Sequence, residues 1–206
     1  MLPHVRRQIT RIFGNSITVK RQFLRENLDT LVEVIDAITA ALRDGHKLLL
    51  FGNGGSAADA QHIAAEFVGR FKIERTPLPA IALTTDTSAL TAIANDYGYA
   101  DVFTRQVQAL GRAGDVAWAI STSGNSANVL RAVATCRRLG IKTVGLTGGT
   151  GGKLAGAVDW VLRASASTHS ARIQETHILV GHTICELVDE QLFPPVRTSA
   201  TDGGRR

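Results

Sequence analysis

Aromatic side chains are scarce, at 5% of the 206 residues. Single-strand nucleic-acid binders stack bases on aromatics set among basic residues. No basic–aromatic stripe of that kind is present, so no direct nucleic-acid binding is expected. The net charge of +5 then reads as a solvated basic surface or as the complement of an anionic substrate. Cysteine occurs only at Cys136 and Cys185. Each lies within a helical pattern, far from the other. That suits small buried apolar residues in a reducing compartment better than a disulfide or a metal pair. No apolar run approaches membrane-spanning length, and no secretory signal opens the sequence. Acidic residues are absent before Glu26, while Arg6, Arg7 and Arg11 are present. Serine is scarce in that stretch, so it reads as a surface helix rather than a transit peptide. The expectation is a cytoplasmic protein with no membrane association.

What is present is ordinary globular material, 44% hydrophobic and 20% charged, in a length that suits one domain with a real core. Residues 4–27 read as a helix of mixed faces. Leu31, Val34, Ile35, Ile38 and Leu42 then recur at helical spacing, and Asp44-Gly45 ends the run. Short apolar runs follow at 47–51, 80–84, 116–120, 143–146 and 160–162. They are too continuous for half-exposed strands. Helical patterns separate them, at roughly 56–70, 87–94, 103–111, 126–139 and 153–157. That alternation predicts βαβ units and a buried parallel sheet. A last helix is expected from about 171 to 192, stopped by Pro194-Pro195. The polar tail, 196–206, is expected to be loose. The fold class is α/β: five parallel strands flanked by helices, with an N-terminal helical extension.

Ligands of such sheets bind outside the carboxyl ends of the strands. After the first strand stands Gly52-Asn53-Gly54-Gly55-Ser56, whose glycines let backbone N–H groups approach an anion at a helix N-terminus. Gly52-x-Gly54-x-x-Ala57 also satisfies a dinucleotide fingerprint, though a lone match is weak. A nicotinamide site would want an acid after the second strand. Asp86 is the candidate, with a helix N-cap as the plain alternative. Asn95-Asp96 could bind sugar hydroxyls or serve as turn residues. After the third strand, Ser121, Thr122, Ser123 and Ser126 surround Gly124 directly before a helix. One cap needs one hydroxyl, so four favour a terminal phosphate monoester. The loop after the fourth strand, 147–156, reads as a flexible connection and is assigned no role.

His62 and Glu66 stand at i and i+4, on one helix face beside the first glycine loop. The last helix supplies Gln174, Glu175, His177 and His182. At about 100° per residue, Glu175 and His182 fall about 20° apart around that helix, and Gln174 and His182 about 80°. Geometry alone pairs Glu175 with His182.

Four ordered blocks, "GNGGSAADAQHIAAEFVGRF", "LPAIALTTDTSALTAIANDYGY", "ISTSGNS" and "RIQETHILVGH", resemble the SIS (sugar isomerase) domain family and, within it, the phosphoheptose isomerases. The resemblance spans nearly the whole chain. It implies a three-layer, flavodoxin-like SIS domain over residues 1–195, with helices at about 1–45 used to assemble a homotetramer whose active sites lie between subunits. It implies an aldose–ketose isomerase that converts sedoheptulose 7-phosphate to a manno-heptose 7-phosphate. Position by position, it implies that Asn53, Gly54, Gly55, Glu66, Asn95, Asp96 and Gln174 contact substrate. Ser121, Thr122, Ser123 and Ser126 would hold the phosphate, and Glu66 and His182 would be the acid–base pair. His62, Glu66, Gln174 and His182 would ligate one zinc ion per subunit, and no nucleotide cofactor is implied. On this point the resemblance prefers Gln174 to Glu175. The chain also resembles, in "SARIQE" and "ELVDEQLFP", a non-catalytic SIS-domain protein that binds the replication initiator DnaA. Such a scaffold is the alternative function.

Overall fold

The structure, a computed structural model, describes residues 2–194. The expected loose tail, 196–206, lies outside the described residues.

The two helical stretches expected before residue 45 form one helix, α1 (Leu2–Arg43), roughly 60 Å long. No proline or glycine pair interrupts it at Leu28, so the backbone runs on while its surroundings change. From Val19 onward it docks on the domain, through Val19, Phe23, Leu31, Val34, Ile35 and Ile38. Its first half touches the domain at the start of α6, through Ile12 O and Ser16, and leaves Val5, Ile9, Ile12, Phe13 and Ile17 exposed.

The five strands are β1 (Leu48–Gly52), β2 (Ala80–Ala82), β3 (Val116–Ile120), β4 (Lys142–Gly148) and β5 (Trp160–Ala164). All pair in parallel, in the order β2-β1-β3-β4-β5. The remaining helices are α2 (Gly55–Val68), α3 (Thr87–Tyr97), α4 (Val102–Leu110), α5 (Ala127–Arg138) and α6 (Ser170–Leu192). Short 3-10 turns lie at Tyr99–Asp101 and Gly152–Gly156.

The continuous apolar runs have a direct cause, since every residue of β1 and β3 is buried on both faces. Leu48, Leu50, Val116, Trp118 and Val144 pack with α1, α2 and α6 on one side. Leu49, Phe51, Ala117 and Ala119 pack with α4 and α5 on the other. Both cysteines are buried and free, Cys136 in α5 and Cys185 in α6. Burial pushes the Cys136 thiol up to about 12 and raises that of Cys185 as well. Among the described residues no helix is long and apolar enough to cross a membrane.

Candidate active site

In this strand order the chain leaves β1 towards β2 and leaves β3 towards β4, in opposite directions, opening a crevice outside the carboxyl ends of β1 and β3. The Gly52–Ser56 turn and the 121–126 loop line it. A reciprocal amide pair ties the two loops together. Asn53 Nδ2 donates to Asn128 Oδ1, and Asn128 Nδ2 donates back to Asn53 Oδ1, both at 2.9 Å. Tyr99 Oη adds a third bond to Asn53 Oδ1, at 3.1 Å. Much of the Asn53 side chain is thus spent on holding the crevice in shape.

Ser121 Oγ and Ser126 Oγ stand 3.1 Å apart at the start of α5. Ser126 is the N-cap residue, yet its side chain makes no capping hydrogen bond. The plain reading of an over-supplied cap therefore fails for it, and its hydroxyl faces Ser121 instead. Ser123 Oγ accepts from Asn125 N–H at 3.2 Å, a local turn. Gly124 has φ +66, and a Cβ there would meet Gly151 O at 1.9 Å. Only glycine fits that approach. The 147–156 loop is no loose connection. It packs against the hydroxyl loop, with Leu154 N–H donating to Gly124 O and Lys153 N–H to Asn125 Oδ1. Buried Leu154 anchors it in the core.

On the other side of the glycine turn, three titratable side chains converge. His62 Nε2 lies 3.2 Å from Glu66 Oε1 on α2 and 2.9 Å from His182 Nε2 on α6. The three ligand atoms lie within 4.8 Å of one another, and the group could hold a metal ion. Gly181 permits this meeting, because a Cβ there would strike Ile63 Cδ1 at 2.4 Å and push α2 from α6. The Phe71 ring stacks on the His182 ring at 5.5 Å.

The rest of α6 sorts by its neighbours along the axis. Gln174 lies against Gly55, at the glycine turn. Eight residues of helix set it about 12 Å along α6 from His182. Glu175 faces α1: Ser16 Oγ donates to its Oε2 at 2.6 Å, and Arg172 Nη2 meets its Oε1 at 2.6 Å. The pairing of Glu175 with His182 expected from angle alone is therefore overturned. His177 is core. Its Nε2–H donates to Thr147 O at 3.1 Å, and burial holds its pKa down to about 4.

Asp86 is the N-cap of α3, its Oδ1 accepting from Ala89 N–H at 2.9 Å, and so takes the plain alternative. Asn95 and Asp96 are exposed on the last turn of α3, bonded to each other at 2.8 Å. They are helical rather than turn residues.

Residues 13–148 match the family model described as SIS domain. A phosphoheptose isomerase of Thermodesulfovibrio yellowstonii is 52% identical over 186 residues, covering 90% of this chain and 92% of the relative. One from Aquifex aeolicus is 54% identical over 185 residues, covering 90% and 96%. The solved structure of phosphoheptose isomerase GmhA from Neisseria gonorrhoeae superposes with a TM-score of 0.85 at 45% identity, covering 90% of this chain and 99% of that one.

The chain belongs to the SIS domain family.

Three side chains of this SIS domain carry site geometry that sequence reading missed. Asp59 lies one turn before His62 on α2. Burial raises its pKa, and its Oδ2 finds no hydrogen-bond partner among the described residues. The i, i+3 spacing to His62 was the available signal. Asn128 sits just past the hydroxyl loop in "SGNSANV", where it reads as one more polar helix residue. Arg75 has no local signal, since its partners are distant in sequence or are backbone carbonyls.

Proposed function

We infer that this SIS domain is an aldose–ketose isomerase that converts D-sedoheptulose 7-phosphate to D-glycero-D-manno-heptose 7-phosphate. The relatives named above support the reaction. The observation that carries the chemistry is the convergence of Glu66, His62 and His182 near a crevice rimmed by serine hydroxyls.

Moving a carbonyl between C2 and C1 shifts one proton between those carbons and one between their oxygens, through an enediol. That needs a base at carbon and an acid at oxygen, which exchange roles on return. Glu66 and His182 are assigned as that pair. Ser121, Thr122, Ser123 and Ser126 are assigned to the phosphate, helped by the N-terminus of α5. Asn53, Gly54, Gly55, Asn95, Asp96 and Gln174 are assigned to the sugar chain. Seven residues of α2 put about 10 Å between Gly55 and His62, a span suited to a seven-carbon substrate.

The donor set fits zinc. Tetrahedral zinc holds its ligands at about 2.0–2.1 Å, which sets neighbouring ligand atoms about 3.3 Å apart. The contacts of 2.9 and 3.2 Å within the cluster lie within a few tenths of that. His62, Glu66 and His182 form the core of the proposed site, one ion per subunit, whereas Gln174, the fourth ligand implied by the resemblance, stands apart from that core at the glycine turn. When bound, the ion would polarise the substrate carbonyl.

The exposed apolar face on the first half of α1 supports assembly through that helix. A homotetramer with active sites between subunits is the proposed state, in the cytoplasm. The alternative of a scaffold for the initiator is less favoured, because Glu66 and His182 are both present and brought together. The test is incubation with sedoheptulose 7-phosphate, followed by NMR with and without added Zn2+. Turnover carries the reading. No turnover from a folded protein in either condition ends it.

A further inference from the structure

Residues 69–76 leave α2 and lie along α6. Phe71 stacks on His182, Lys72 Nζ meets Glu186 Oε1 at 2.5 Å, and Arg75 Nε meets Asp189 Oδ1 at 2.8 Å. Positions 182, 186 and 189 share one face of α6. The middle contact is exposed and contributes little. The last is buried, with Arg75 1% and Asp189 3% exposed.

Arg75 uses its whole fork. Besides Asp189, Nη2 donates to Glu66 O at 2.8 Å. Nη1 donates to Phe67 O at 2.8 Å, and to Gly69 O and Thr76 O at 3.2 Å each. These include carbonyls that the C-terminal end of α2 leaves without helical partners, and a cation there faces the negative end of the helix. A surface lysine or water would satisfy the same carbonyls without burying a charge. Burial of an ion pair is costly, and its benefit is a fixed geometry rather than stability. That geometry bears on the site. Arg75 grips the backbone of Glu66, whose carboxylate faces His62. Asp189 stands seven residues beyond His182 on the same helix.

We propose that the buried Arg75–Asp189 pair is a positioning device for the acid–base and metal-ligand cluster. It locks the spacing and register of α2 and α6, and so the placement of Glu66 against His182. Neither residue touches substrate. The proposal rests on the isomerase reading for its kinetic readout, whereas its metal readout stands without that reading.

The test compares Arg75→Lys and Asp189→Asn with wild type, and uses Lys72→Ala as the control. Lysine keeps the charge but not the fork. Three quantities are measured: kcat and KM with sedoheptulose 7-phosphate, Zn2+ affinity by competition with a chromophoric chelator, and the thermal midpoint. The expected result is a fall of about 10–100-fold in kcat and in Zn2+ affinity, the range typical when a supporting residue behind metal ligands is lost. KM should stay within about twofold, and Lys72→Ala should match wild type. Wild-type kcat and Zn2+ affinity in folded Arg75→Lys and Asp189→Asn overturn the proposal. So does failure of both variants to fold, which makes the pair merely structural. If wild type binds Zn2+ but does not turn over, the isomerase reading fails and the Zn2+ affinities alone decide. Wild type with neither property overturns both.

Discussion

His62 on α2 and His182 on α6 bring their Nε2 atoms to 2.9 Å. At that distance either one nitrogen carries a proton that the other accepts, or an ion replaces the proton. Zn2+ should therefore bind at this pair, and titration calorimetry with Zn2+ reads the affinity. His62→Ala should weaken binding by at least about tenfold. Equal affinity in the variant would show that the ion sits elsewhere.

Glu66→Gln and His182→Ala should each lower kcat by about 10²–10⁴, the usual worth of a positioned acid or base. Both side chains are partly exposed, so the thermal midpoint should stay within a few degrees. Near-normal turnover in either variant removes its assigned role.

Ser126 does not cap α5, so Ser126→Ala should cost only its hydrogen bond to Ser121 Oγ, about 0.5–1.5 kcal/mol. Losing one hydrogen bond to a charged phosphate is worth about 1.5–3 kcal/mol, so KM should rise at least about tenfold. An unchanged KM in steady-state kinetics would take Ser126 out of the phosphate site. Gly124→Ala should instead destabilise the fold by about 2 kcal/mol or more, because its φ of +66 and its contact with Gly151 O leave no room.

Asn128→Asp removes the donor to Asn53 Oδ1 and sets two oxygens face to face. A loss of about 1–3 kcal/mol is expected in denaturant unfolding. Combining it with Asn53→Ala should cost clearly less than the sum, since both break the same pair. Strict additivity would mean that the two amides do not cooperate.

His177 gives the protein an acid-side weakness. It is neutral when folded, with a pKa held at about 4 by burial, whereas the unfolded chain protonates it near 6.5. The unfolded state thus binds more protons between those values, and stability falls as pH drops from about 6.5 towards 4. The single-site loss is on the order of 3 kcal/mol. His177→Gln keeps a donor for Thr147 O and should flatten that slope in thermal melts. A slope unchanged in the variant would place the acid sensitivity on other groups.

The parallel sheet was legible because its causes are local. Strands such as 48–52 and 116–120 are apolar on both faces, and glycine or serine turns follow them at the ligand end. The i, i+4 spacing of His62 and Glu66 was likewise fixed by helix geometry. The chemistry-bearing residue types on α6 could be read, but not their partners. An angle around a helix says nothing about what lies beside it at each height. Glu175 and His182 nearly share an angle, yet about 10 Å of axial rise sends one to α1 and the other to α2. The resemblance prefers Gln174 to Glu175, but only tertiary structure seated Gln174 at the glycine turn, packed the 147–156 loop against the hydroxyl loop, and buried Arg75 against Asp189. Those choices depend on which elements pack together, because no local preference encodes contacts between residues 28 or 114 positions apart.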